Sequence, residues 1–95
     1  MKKRIECEIY GRVQLVMFRD FAQRKAKKRG LTGTVENMKN GNVYVIAEGE
    51  EKELNDFLED LHKGPLFSKV TNVEVKMLDA KGGFNDFSII FYGNR

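Results

Sequence analysis

Two hydrophobic periods alternate along the chain, and each switch between them marks an element. Ile5, Cys7 and Ile9 recur at every second position between polar neighbours, which predicts a half-buried strand over Arg4–Tyr10. From Phe18 the spacing becomes helical. Phe18, Phe21, Ala22 and Ala26 share one stripe, and Gly30 ends a helix expected over Phe18–Arg29. A second strand is expected over Leu31–Met38, and the Asn40-Gly41 pair turns it back into a third over Asn42–Glu48. Leu54, Phe57, Leu58 and Leu61 then stand at i, i+3, i+4 and i+7, so a second helix is predicted over Glu51–Lys63, stopped by Gly64-Pro65. Val73, Val75 and Met77 mark a fourth strand. Beyond Gly82-Gly83, a fifth carries Phe87, Ile89 and Phe91.

This order is βαββαβ with one further strand, and it predicts an α+β chain: a ferredoxin-like α/β sandwich. Right-handed crossovers would lay both helices on one face of a mainly antiparallel sheet. The other face, with Glu6, Glu8, Tyr10, Tyr44 and Ile46, would be mixed and more exposed.

A length of 95 residues fits one domain over residues 1–95, and 41% hydrophobic with 33% charged residues fits a globular chain. A net charge of +3 favours anionic partners without selecting one. No apolar run is long enough to span a membrane, and none follows Lys2-Lys3-Arg4, so neither a membrane span nor a signal peptide is expected. Cys7 is the sole cysteine, which points to a reducing cytoplasm. In its alternating run it reads as a core residue, and His62 as a partner of the second helix's C-terminus. One cysteine and one histidine make no ligand cluster, so no metal site is expected.

The candidate chemistry lies between the first strand and the first helix, in Gly11-Arg12-Val13-Gln14-Leu15-Val16-Met17-Phe18-Arg19. A loop there delivers backbone N–H groups, a helix N-terminus and a guanidinium to one small volume, a combination suited to a dianion such as phosphate. The basic run Arg24–Arg29 reads as the solvated face and end of the first helix.

That loop resembles the acylphosphatase signature, glycine-x-valine-glutamine-glycine-valine-x-phenylalanine-arginine. Gly33-Thr34-Val35-Glu36-Asn37, followed by the hairpin to Val43, resembles the same family's second motif. Gly64-Pro65 and Asp86-Phe87-Ser88-Ile89 are similar to further family landmarks, so the resemblance spans nearly the whole chain. It implies metal- and cofactor-free hydrolysis of carboxyl-phosphate mixed anhydrides to carboxylate and inorganic phosphate. It also implies a phosphate-binding role for Arg19, water positioning by Asn37, and a backbone cradle at Gln14, Leu15, Val16, Met17 and Phe18. The implied partners are a small acyl phosphate and inorganic phosphate, as product or inhibitor; no nucleic acid and no membrane partner are expected, and a monomer is expected.

Leu15 stands where the signature has glycine, and Thr34 where the second motif often has an aromatic residue. Leu15 is expected in an ordinary β or right-handed helical conformation, its side chain walling the pocket mouth. A phosphoanion-binding module with little turnover is the alternative that Leu15 raises. A βαββαβ RNA-binding domain is a further one, although the third strand, Asn42–Glu48, lacks the basic and aromatic motif of such domains.

Overall fold

The alternating segments pair into a five-stranded sheet ordered β4-β1-β3-β2-β5, in a computed structural model that describes residues 1–91. The elements are β1 (Lys2–Arg12), α1 (Phe18–Lys28), β2 (Thr32–Asn37), β3 (Val43–Glu50), α2 (Glu51–Lys63), β4 (Lys69–Asp79) and β5 (Phe87–Ile90). Pairing is antiparallel for β1 with β3, β1 with β4 and β2 with β3, and parallel for β2 with β5. The sheet is thus mainly antiparallel, as the sequence predicts. β1 and β4 run further than the alternation indicates, because main-chain pairing continues past the last apolar position on each. Phe91 falls beyond β5 and is exposed rather than core.

Both helices lie on one face. α1 packs on β2 and β5, α2 packs on β1, β3 and β4, and the two helices touch each other. Phe18, Ala22 and Ala26 of α1 and Leu54, Phe57 and Leu61 of α2 bury against Ile5, Cys7, Ile9, Val43 and Val45. Phe57 meets Phe87 edge to face, with ring centroids 6.0 Å apart. Burial pushes the Cys7 thiol up to about 12, so it stays an inert core group. His62 Nδ1 lies 2.8 Å from the Leu58 carbonyl, at the C-terminal end of α2. Arg29 departs from the solvated reading of its basic run. Its side chain bridges the helices, 2.8 Å from Asp60 and within 3.7 Å of Glu53 and Asp56.

The opposite face holds a buried charge network. Arg4 donates to Glu6 at 2.9 Å and to Glu48 at 3.0 Å. The backbone N–H groups of Lys81 and Gly82 donate to the Glu48 carboxylate at 2.9 and 3.0 Å. Glu48 therefore pins the crossing from β4 to β5, which carries the chain from one sheet edge to the other. Burial works against its charge, but the backbone donors and Arg4 prevail and hold its carboxyl below the usual range.

A carboxylate depressed in the folded state contributes stability above its unfolded pKa and loses it as pH falls through the folded value. Wild-type stability should therefore drop in the acid range. Glu48→Gln should cost about 1–3 kcal/mol at neutral pH, and the gap between the two proteins should narrow as pH falls below the ordinary glutamate range. Urea melts at a series of pH values measure this. A gap independent of pH would refute the assignment.

Candidate active site

β1 and β2 are each antiparallel to β3, so they run parallel to one another and end on the same side of the sheet. β5, parallel to β2, brings Ile89 and Phe91 to that side as well. The loop after β1 is fixed first by Gly11, where the register with β4 shifts. Gly11 has φ 123°, and a Cβ there would lie 2.0 Å from the Lys69 carbonyl oxygen. Only glycine lets the strand pass so close to its neighbour as it leaves the sheet.

Leu15 has φ 61° and Met17 φ 59°, both left-handed, while Val16 between them does not take a positive φ. Backbone that alternates in hand turns successive N–H groups toward one point and forms an anion-binding concavity. The expectation of an ordinary conformation for Leu15 is therefore wrong: it occupies the left-handed region for which the signature's glycine is suited. Its side chain does line the pocket, but it projects almost wholly into solvent. Each such residue stores about 1–3 kcal/mol of strain, which surrounding contacts must hold.

Those contacts are visible. Val13 and Phe18, flanking the loop, are buried, and Val16 packs against the core. The Gln14 amide donates to the carbonyls of Met38, at 2.7 Å, and Asn42, at 2.9 Å. Both acceptors belong to the β2–β3 hairpin, directly after Asn37, and Met38 N–H closes that hairpin on the Asn42 carbonyl at 2.8 Å. Met17, as N-cap of α1, makes no side-chain cap hydrogen bond, so no cap competes with an anion at that helix end.

A cavity of about 390 Å³ is lined by Val13, Leu15, Met17, Phe18, Arg19, Asp20, Asn37, Ile89 and Phe91. The structure thus brings together Arg19 and Asn37 with Leu15, Met17 and Phe18. Val16 faces the neighbouring depression, and Gln14 faces the hairpin. Arg19 is half-buried and, among the described residues, makes no ion pair. It reaches the Ile90 carbonyl at 3.4 Å and lies 5.1 Å from the Phe91 ring centroid. Arg4, Arg24 and Arg29 are all held by carboxylates. Asp20, beside Arg19, is turned to Arg24 at 2.9 Å. Asn37 Oδ1 is buried and finds no hydrogen-bond partner among the described residues. A guanidinium without an ion pair among the described residues and the side chain of Asn37 therefore line one cavity, an arrangement suited to an anion.

Sequence reasoning missed the walls from β5 and the clamping role of the Gln14 side chain. Phe91 continues the alternation of Phe87 and Ile89, so nothing local marks it as a site residue. Among the described residues no group of three or more His, Cys, Asp or Glu is placed to hold a metal.

The acylphosphatase family model matches residues 5–89. An acylphosphatase of Thermotoga maritima is 42% identical over 90 residues, covering 95% of this chain and 99% of that one. One from Bacillus licheniformis is 47% identical over 81 residues, covering 85% and 90% respectively. The crystal structure of acylphosphatase from Bacillus subtilis superposes with a TM-score of 0.90 at 41% identity, covering 93% of this chain and 98% of that one.

Two outcomes test the loop. Gln14→Ala should lower kcat about 10–100-fold, because loop and hairpin lose their common anchor and reactants shift relative to one another. Gln14→Glu should fail as badly, since a carboxylate cannot donate to either carbonyl. Full activity in the Glu variant would remove the clamp from the account. Leu15→Gly relieves left-handed strain but adds chain entropy, for a net gain of up to about 1 kcal/mol in urea unfolding. A loss of stability would contradict the strain.

Proposed function

The chain belongs to the acylphosphatase family and is a hydrolase, and from that premise we propose a division of labour among its site residues. The phosphoryl group of an acyl phosphate sits over the backbone N–H groups of Leu15–Phe18, at the N-terminus of α1. The Arg19 guanidinium grips two of its oxygens bidentately, which a lysine could not do. Asn37 Oδ1 accepts a hydrogen bond from a water and aims it at phosphorus, opposite the leaving group. The observation that carries this reading is the cavity that Arg19 and Asn37 both line, in which Arg19 makes no ion pair among the described residues.

Water oxygen bonds to phosphorus, the bond from phosphorus to the acyl oxygen breaks, and the carboxylate leaves with the electron pair. That carboxylate is a weak base and needs no acid to help it depart. Asn37 cannot take a proton at neutral pH, so the water's proton passes to a phosphoryl oxygen. Fixed N–H donors and Arg19 then stabilise the equatorial charge with little rearrangement. Inorganic phosphate, the product, occupies the same cradle as an inhibitor. We read residues 1–95 as a single monomeric domain of the reducing cytoplasm, working without metal.

The alternatives lose their support here. Leu15 adopts a conformation that keeps the N–H groups convergent, so its presence gives no ground for a binding-only module. The sheet face that would stack bases carries Glu6, Glu8 and Glu74 against Lys76, with the Tyr10 hydroxyl donating to Glu74. An acidic face of that kind repels nucleic acid.

Arg19 and Asn37 should fail differently. Arg19→Lys should weaken phosphate inhibition and abolish turnover of benzoyl phosphate together. Asn37→Ala should leave phosphate inhibition within about threefold while kcat falls roughly 100-fold or more, the scale of misplacing a reactant. Equal loss of phosphate affinity in both variants would contradict water positioning by Asn37. Chelator should leave wild-type turnover unchanged.

A further inference from the structure

Beside the phosphate cavity lies a second depression of about 510 Å³, lined chiefly by apolar side chains from the cradle loop and from the turn after α2. Leu15 and Met17 line both cavities and form the ridge between them. Beyond the ridge stand Leu66 and Phe67. These side chains are exposed to an unusual degree: Leu15 99%, Met17 72%, Leu66 80% and Phe67 78%. Single exposed apolar residues are ordinary, but a contiguous group beside a reactive site marks a ligand or partner surface.

The shelf is built rather than loose. Gly64, with φ 65°, ends α2, and a Cβ there would lie 2.3 Å from Ser68 Oγ and 3.2 Å from the Phe18 ring. The turn is therefore packed against the first residue of α1, at the edge of the cradle. Ser68 closes it, its N–H and Oγ both donating to the Pro65 carbonyl at 3.1 and 2.6 Å. Phe67 is held with φ 75°, left-handed, and its ring projects outward at a conformational cost. Arg24, the one charged residue lining the shelf among the described residues, is engaged with Asp20.

In-line displacement selects the occupant. The leaving group must lie across phosphorus from the attacking water, and therefore away from Asn37. Asn37 lines the first cavity and not the second. An acyl group directed away from it crosses the Leu15–Met17 ridge onto Leu66 and Phe67.

We propose that this shelf receives the acyl body of the substrate, so that the chain favours acyl phosphates with large apolar acyl groups, aromatic or medium-chain, over acetyl phosphate. The inference rests on the reading of the neighbouring cavity as the phosphoryl site and names what lies on the other side of the bond that breaks. Each methylene laid on a shelf with one wet side should raise kcat/KM about twofold, roughly half of what full burial provides.

The test measures kcat/KM and phosphate inhibition for acetyl, butyryl, octanoyl and benzoyl phosphate in wild type and in the double variant Leu66→Ser with Phe67→Asn. Asparagine tolerates the left-handed backbone, so the turn keeps its shape while the ring is lost. Wild-type kcat/KM should rise at least tenfold from acetyl to octanoyl phosphate, and this rise should flatten at least fivefold in the variant with an unaltered phosphate inhibition constant. Wild-type hydrolysis of acetyl phosphate without any rise along the series would overturn the shelf alone. Absence of hydrolysis on every substrate would overturn the phosphoryl site and the shelf together. An equally steep rise in the variant, or a raised phosphate inhibition constant, would show that Leu66 and Phe67 form no separate acyl subsite. Self-association of the wild type by light scattering, lost in the variant while the series stays steep, would assign the surface to a second copy of the chain instead.

Discussion

The site depends on one backbone constraint: the loop between β1 and α1 must turn consecutive N–H groups inward, and only alternating handedness does so. Leu15 and Met17 both accept left-handed φ to satisfy it, at positions where neither side chain favours that conformation. The strain persists because both flanks are immobilised. Val13 and Phe18 are buried on either side, and Gln14 ties the loop to the β2–β3 hairpin. The same clamp sets the cradle's distance from Asn37, so backbone shape and water position are coupled through a single amide.

Charge is distributed to leave that loop free. Carboxylates occupy Arg4, Arg24 and Arg29, and these pairs fasten the β4–β5 crossing, the α1 surface and the contact between helices. Arg19, in contrast, meets a carbonyl and an aromatic ring and no carboxylate among the described residues. Those contacts orient the guanidinium without neutralising it, which suits a group that must meet a dianion. Ile89 and Phe91 line the same cavity from the β5 side, with the Phe91 ring against the guanidinium.

Stability and function also divide across the sheet. The face under the helices carries the apolar core. The opposite face carries Glu6, Glu8 and Glu74 beside Tyr44, together with the Arg4–Glu48 network. Beside exposed apolar residues elsewhere, such as Met1, Val75 and Met77, four stand together at the rim of the site: Leu15, Met17, Leu66 and Phe67. Two of these four residues lie in the cradle loop and two in the turn after α2, which packs on Phe18.

Much of this was determined by the sequence alone. Period-two and helical spacing set each element and its buried face, since side-chain direction follows directly from local backbone geometry. The element order then left few topologies, and Arg19 and Asn37 were legible as candidates from their motifs. Tertiary structure decided the rest. That β5 lies parallel beside β2 and walls the cavity is a non-local pairing that no local pattern encodes. That Gln14 acts through its side chain depends on which carbonyls the hairpin presents to it. The sequence also led to the wrong conformation for Leu15. Residue preference favours right-handed or extended backbone for leucine, but the contacts at both ends of the loop outweigh a local cost of about 1–3 kcal/mol. A local preference of that size yields once several fixed neighbours demand the same shape.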